Sequence, residues 1–151
     1  MSTSDTKGIV TLIRNRLLAF TPTTGSTLAT SLGSRLYVVQ APDTAVFPYG
    51  VLTCTRMGTQ GFSGYRESWQ AELQLFASPR SAQWTLEGIA DVADQAMLQW
   101  EDRTSGVAFA GYRSRWTLPP FPDAADREIV RIRCLYDVAV WPSLFTQYVT
   151  P

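Results

Sequence analysis

Trp69, Ala71, Leu73 and Leu75 alternate with Gln70, Glu72 and Gln74, the two-residue period of a strand with one face on a core and the other in water. Almost at once the period changes. Ala82, Leu86, Ile89, Ala90, Ala93, Met97 and Trp100 recur at helical spacing, which predicts one apolar stripe on a helix ending near Trp100. Ser78 is placed to cap that helix, and Pro79 suits its first position because a missing N–H costs nothing there.

The remaining pattern supplies five more elements. Ile9, Leu12, Ile13, Leu17 and Phe20 mark the buried face of a first helix, capped by Asp5 and stopped at Thr21-Pro22, with Arg14, Asn15 and Arg16 off its centre. Residues 23–34 read as a Thr/Ser/Gly-rich loop with one helical turn, anchored by Leu28, Ala29 and Leu32. A short strand is expected over 35–40. A second runs from Phe47 to Arg56 and pairs with the strand containing Trp69. Between these two, residues 57–64 hold three glycines and predict a mobile hairpin tip carrying Phe62. Beyond the long helix, a turn at 101–106 precedes a strand over 107–118, which Pro119, Pro120 and Pro122 should break. Val130, Ile132, Cys134, Tyr136, Val138 and Val140 then alternate with more polar neighbours in the longest period-2 run of the chain. That run predicts a central or near-central strand, stopped by Pro142.

Helix, three strands, helix, two strands, with short links, predict an α+β domain: a mostly antiparallel sheet with two amphipathic helices packed on one face. At 151 residues a single domain spanning 1–151 is expected, with a C-terminal segment from about 142 to 151 that is unusually apolar for a solvated end.

Composition removes several kinds of chemistry. There is no histidine, and thirteen Lys and Arg balance thirteen Asp and Glu. The commonest general base and zinc ligand is thus missing, and overall charge gives no case for gripping nucleic acid. Cys54 and Cys134 sit inside strand-like runs and form no C-x-x-C pair, so they read as buried free thiols. No run of about 20 apolar residues is present to cross a bilayer, and the N-terminus lacks a signal-peptide pattern, so maturation in a cytoplasm is expected. Asp91 and Asp94 lie on a helix that must bury its other face, and the glycines form no phosphate-binding fingerprint. Neither enzyme activity nor a cofactor is expected.

The remaining candidates are contacts. Arg131, Arg133 and Asp137, near Glu72, read as cross-strand ion pairs on a wet sheet face. Arg113 and Arg115 interleave with Tyr112, Ser114, Trp116 and Leu118, which read as the core face of their strand. Thr59, Gln60 and Phe62 at the hairpin tip, and Leu144, Phe145 and Tyr148 near the C-terminus, are the expected partner contacts, because large apolar groups in exposed segments mark interaction sites. In a competing reading, a cellular ligand-binding domain, Trp69, Trp84, Trp100 and Trp116 partly line a pocket.

The N-terminal helix, the run Gly-Ser-Arg-Leu-Tyr at 33–37, Phe-Pro-Tyr-Gly-Val-Leu at 47–52, and the strand breaking into a helix at Ala-Ser-Pro-Arg-Ser-Ala, 77–82, together resemble the tail terminator or tail completion proteins of long-tailed, siphovirus-like bacteriophages. The resemblance lies in order and spacing from Thr6 to Trp141. It implies a structural virion protein, assembled in the host cytoplasm, that forms a homo-hexameric ring at the head-tail interface. Such a ring binds the tail tube protein, ends tube polymerisation and presents a surface to a head-completion protein, while DNA passes through the lumen without specific recognition. A head-completion or adaptor protein of the same particle is the nearest alternative.

Overall fold

The computed structural model describes residues 6–60, 66–98, 100–102, 107–122 and 128–140. The fold is α+β. Three helices, α1 (Thr6–Ala19), α2 (Leu28–Ser31) and α3 (Gln83–Met97), accompany six strands: β1 (Leu36–Val38), β2 (Tyr49–Gln60), β3 (Arg66–Ala77), β4 (Trp100–Asp102), β5 (Val107–Pro122) and β6 (Glu128–Val140). The strands form one sheet in the order β1-β2-β3-β6-β5-β4. Every pairing is antiparallel except β1 with β2, which is parallel. The strand with the longest alternation, β6, lies between β3 and β5 as its apolar run predicted.

The alternation fixes which way each strand faces. Trp69, Ala71, Leu73 and Leu75 of β3 and Val130, Ile132, Cys134, Tyr136 and Val138 of β6 are buried in one core with Ile9, Ile13 and Leu17 of α1 and Leu86, Ile89, Ala93 and Met97 of α3. Both long helices therefore cover the same sheet face. Gly50 sits where β1, β2 and β3 meet; a Cβ there would lie 3.1 Å from Leu36 Cδ1 and 3.2 Å from Leu75 Cδ2, so a larger residue would need those leucines to give by a few tenths of an ångström.

Several boundaries differ from the sequence expectation. Ser78 does not cap α3. Its hydroxyl donates to the Glu128 carbonyl at 3.0 Å, and a 3-10 turn over Arg80–Ala82 leads into the helix. The apolar stripe overran the helix as well. The chain leaves α3 after Met97, and Trp100 begins the edge strand β4, although its side chain stays buried as the stripe required. The loop at 23–34 holds the expected helical turn, with Thr27 as N-cap, but Ala29 is exposed, and only Leu28 and Leu32 are anchors.

Two strands are longer than expected, each with its own physical reason. Strand β2 runs to Gln60, since a bulge between Arg56 and Gly58 absorbs one extra residue and pairing resumes at Gly58↔Ser68. Gly58 adopts φ +144°, which glycine alone tolerates cheaply. Strand β5 runs through Pro119 and Pro120 to Pro122. Beyond Ala110 it has no β4 partner, so among the described residues it is an edge there, and another irregularity between Leu118 and Phe121 absorbs the prolines.

Candidate interaction surface

Charges divide between the two sheet faces in a way set by the irregularities in β5. A shift between Tyr112 and Ser114 changes which residues point inward: Tyr112 pairs with Tyr136, then Arg115 with Cys134 and Trp116 with Arg133. Arg115 thus faces the helices, and Trp116 lies outside at 46% exposure, opposite to the simple alternation expected for this strand. Arg115 Nη2 donates to Asp91 at 2.8 Å and to Asp94 at 2.6 Å, while the Tyr136 hydroxyl donates to the other oxygen of Asp94 at 2.6 Å. Burial raises the pKa of the Asp94 carboxyl above its ordinary range, against the opposing pull of Tyr136 and Arg115. Burial also holds the Tyr136 phenol well above its usual value. The cluster is a polar bolt between α3 and the sheet.

On the open face, Arg133 meets Glu72 through Nε and Nη2 at 2.9 and 3.2 Å, and its guanidinium lies 5.5 Å from the centre of the Trp116 ring. The Gln74 amide adds a 2.6 Å bond to Glu72. This is the cross-strand pairing expected of that face, shown for Arg133 with Glu72. Arg115 and Arg133 do not converge into a basic stripe, because they point to opposite faces and both are paired, whereas the side chain of Arg113 lies outside what is described.

Other arginines do mechanical work that the sequence pattern did not disclose. Arg14 Nε donates to the Leu36 carbonyl and Arg16 Nε to the Ala96 carbonyl, each at 2.8 Å, tying α1 to β1 and to the end of α3. Arg16 also packs over the rings of Phe20 and Trp100.

The open face has a cleft of about 300 Å³ at the β1 side of the sheet, lined by Val39, Gln40, Ala41, Tyr49, Val51, Thr53, Gln74 and Phe76. Tyr49 stacks on Phe76 with ring centres 4.8 Å apart and on Phe47 at 5.4 Å, so the wall is a continuous aromatic strip. At its rim Val39 has φ +70°, a left-handed conformation that a β-branched side chain resists, while its N–H bonds the Leu52 carbonyl at 2.9 Å. Such strain costs about 1–3 kcal/mol and tends to gather at functional sites.

The expected contact residues are distributed as follows. Thr59 and Gln60 belong to β2 rather than to a loop, paired with Glu67 and Arg66. Phe62, Leu144, Phe145 and Tyr148 lie outside the described residues. The four tryptophans offered as a pocket lining are not brought together: Trp69 and Trp100 are buried, whereas Trp84 is 83% exposed on α3 and Trp116 lies on the open face. Val38, Val39, Val46, Met57 and Leu98 are the other large exposed apolar groups among the described residues. Trp84 falls off the apolar stripe of α3, a signal of exposure that the pocket reading passed over. Cys54 and Cys134 are free thiols within the sheet. Among the described residues no group of three or more acidic, Cys or His side chains is placed to hold a metal, and no helix is long and apolar enough to cross a membrane.

No family model matches the chain, and no curated protein matches it. Its fold is similar to that of a chain from the virion of a native gene transfer agent particle, with a TM-score of 0.56 at 16% identity. The likeness covers 85% of this chain and 91% of the other. At that identity it shows a shared fold.

Proposed function

We propose that this protein is a structural component of a phage-like virion, and that within the particle it forms a ring that caps the tail tube. The observation that carries the reading is the fold likeness to a virion chain, which spans nearly the whole of both chains. The order and spacing of elements from Thr6 to Trp141 support the finer assignment, as they resemble tail terminators.

The physical logic is one of surfaces rather than reaction chemistry. A closed ring needs a heterologous contact, in which one patch of each subunit meets a different patch of the next. This chain offers unlike patches on unlike sides: the exposed Trp84 on α3, the aromatic cleft on the open sheet face, and the end of the β2–β3 hairpin. The open face suits a channel through which DNA slides. Each phosphate neutralised adds salt-dependent affinity, and Arg133 is already held by Glu72. In this reading the hairpin end, with Thr59, Gln60 and Phe62, faces the tube protein. The segment with Leu144, Phe145 and Tyr148 contacts a neighbouring subunit or the head-completion protein.

The test is an elongation assay. Added to polymerising tail tube protein, the intact chain is expected to stop growth and bind one tube end; a head-completion protein would leave elongation unchanged. Phe62→Ser should fold normally and bind tubes more weakly. Normal tube capping by that variant would remove the hairpin end from the site.

A further inference from the structure

We propose that the aromatic cleft on the open sheet face receives the Leu144–Phe145 segment of a second copy of this chain. The inference rests on the ring reading above and names the two patches that join one subunit to the next.

The first argument is reach. Strand β6 ends at Val140, which pairs with Glu67, whereas the aromatic wall of the cleft is at Phe76 and its partner Tyr49. From Glu67 to Phe76 is nine steps along β3, or about 30 Å at ~3.3 Å per residue. Leu144 and Phe145 follow Val140 by four and five residues, so their backbones extend at most about 14 and 18 Å from it. Strand β6 itself runs away from the cleft, from Val130 beside Ala77 to Val140 beside Glu67. Neither side chain can reach the aromatic wall of its own subunit.

The second argument is chemical match. The open face is charged around Glu72 and Arg133, but the cleft is lined without a single charged residue. The stretch from 141 to 151 also contains no Asp, Glu, Lys or Arg, and it mixes Leu144, Phe145 and Tyr148 with Thr146 and Gln147. The cleft supplies the complement, with an aromatic wall for apolar anchors and the Gln74 amide beside it for backbone groups.

The third argument is polarity. The donor segment follows Val140, at the Glu67 end of β3, and the cleft lies toward the other end, at Phe76 and Tyr49. A contact joining them runs head to tail, the kind that generates a ring when the rotation closes and a filament when it does not.

Disulfide trapping in the full-length chain tests this directly. One preparation carries Gln40→Cys at the cleft rim, a second carries Ser143→Cys beside the anchors, and a third carries both. Burial pushes the pKa of Cys54 up to about 12 and that of Cys134 to about 11, so at pH 8 the introduced thiols react first. Mixing the single variants should give a covalent dimer on mild oxidation, several-fold reduced when the Ser143→Cys chain also carries Phe145→Ser. A mass measurement on the same samples separates the outcomes. An intact oligomer without the cross-link overturns the inference and leaves the ring standing. A monomer without the cross-link, both alone and with isolated tail tubes added, overturns both. A disulfide within one chain of the double variant, without a dimer, contradicts the reach argument.

Discussion

Arg115 and Arg133 look alike in the sequence, each the polar partner in an alternating strand, yet they carry different loads. Arg115 is a quarter exposed and holds Asp94 of α3 from the sheet below, whereas Arg133 is 41% exposed on the open face. Arg115→Met should therefore cost about 1–3 kcal/mol, because it strands a carboxylate in a largely buried site. Arg133→Met should cost under about 1 kcal/mol. Urea denaturation compares them, and equal losses would contradict the division of faces. Asp94 gives a second test. Its folded pKa lies above the ordinary value of 3.8, so the folded chain holds this proton more tightly than the unfolded one. The stabilisation belongs to the protonated form and fades as pH rises through the folded pKa. Measured against Asp94→Asn, the wild type should gain stability as pH falls from neutral toward 3.8. A loss over that window would mean that the bonds from Arg115 and Tyr136 outweigh burial. The buried side of β3 and β6 was legible residue by residue, since period 2 is unbroken there. On β5 it was not, because the shift between Tyr112 and Ser114 leaves no mark on the spacing of Arg113, Arg115 and Trp116.

Among elements, α3 was read from its stripe alone, and its packing tests that reading. Ile89 is 4% exposed within the core, so Ile89→Ala should cost about 2–5 kcal/mol. A change within about 0.5 kcal/mol would place that face outside the core. The β2–β3 hairpin tests the bulge. With φ +144° at Gly58, Gly58→Val should destabilise by about 1–3 kcal/mol, whereas Met57→Val, at the exposed neighbouring position, should be nearly neutral. The sequence understated both long strands because glycine and proline are read as stops. Gly58 permits a bulge inside β2, and Pro119 and Pro120 fall where β5 has become an edge. Neither circumstance depends on local sequence. The parallel pairing of β1 with β2 was equally hidden, since it depends on how 39–48 carries the chain back beside Leu36.

For the whole molecule, the layered α+β architecture was legible because two amphipathic helices and alternating strands leave few other ways to close a core. The interaction surface was legible only in part. Unlike a catalytic constellation, a docking patch carries no fixed residue type or spacing, so the Tyr49–Phe76 wall emerges only once the chain is folded. The central claim is that unlike patches of this subunit join in a closed ring that caps a tube. Light scattering on the purified chain over a wide concentration range, without and then with isolated tail tubes, tests it most directly. The account predicts a discrete oligomer in solution or one that forms on the tubes. A strict monomer that is indifferent to tubes at every concentration would contradict it.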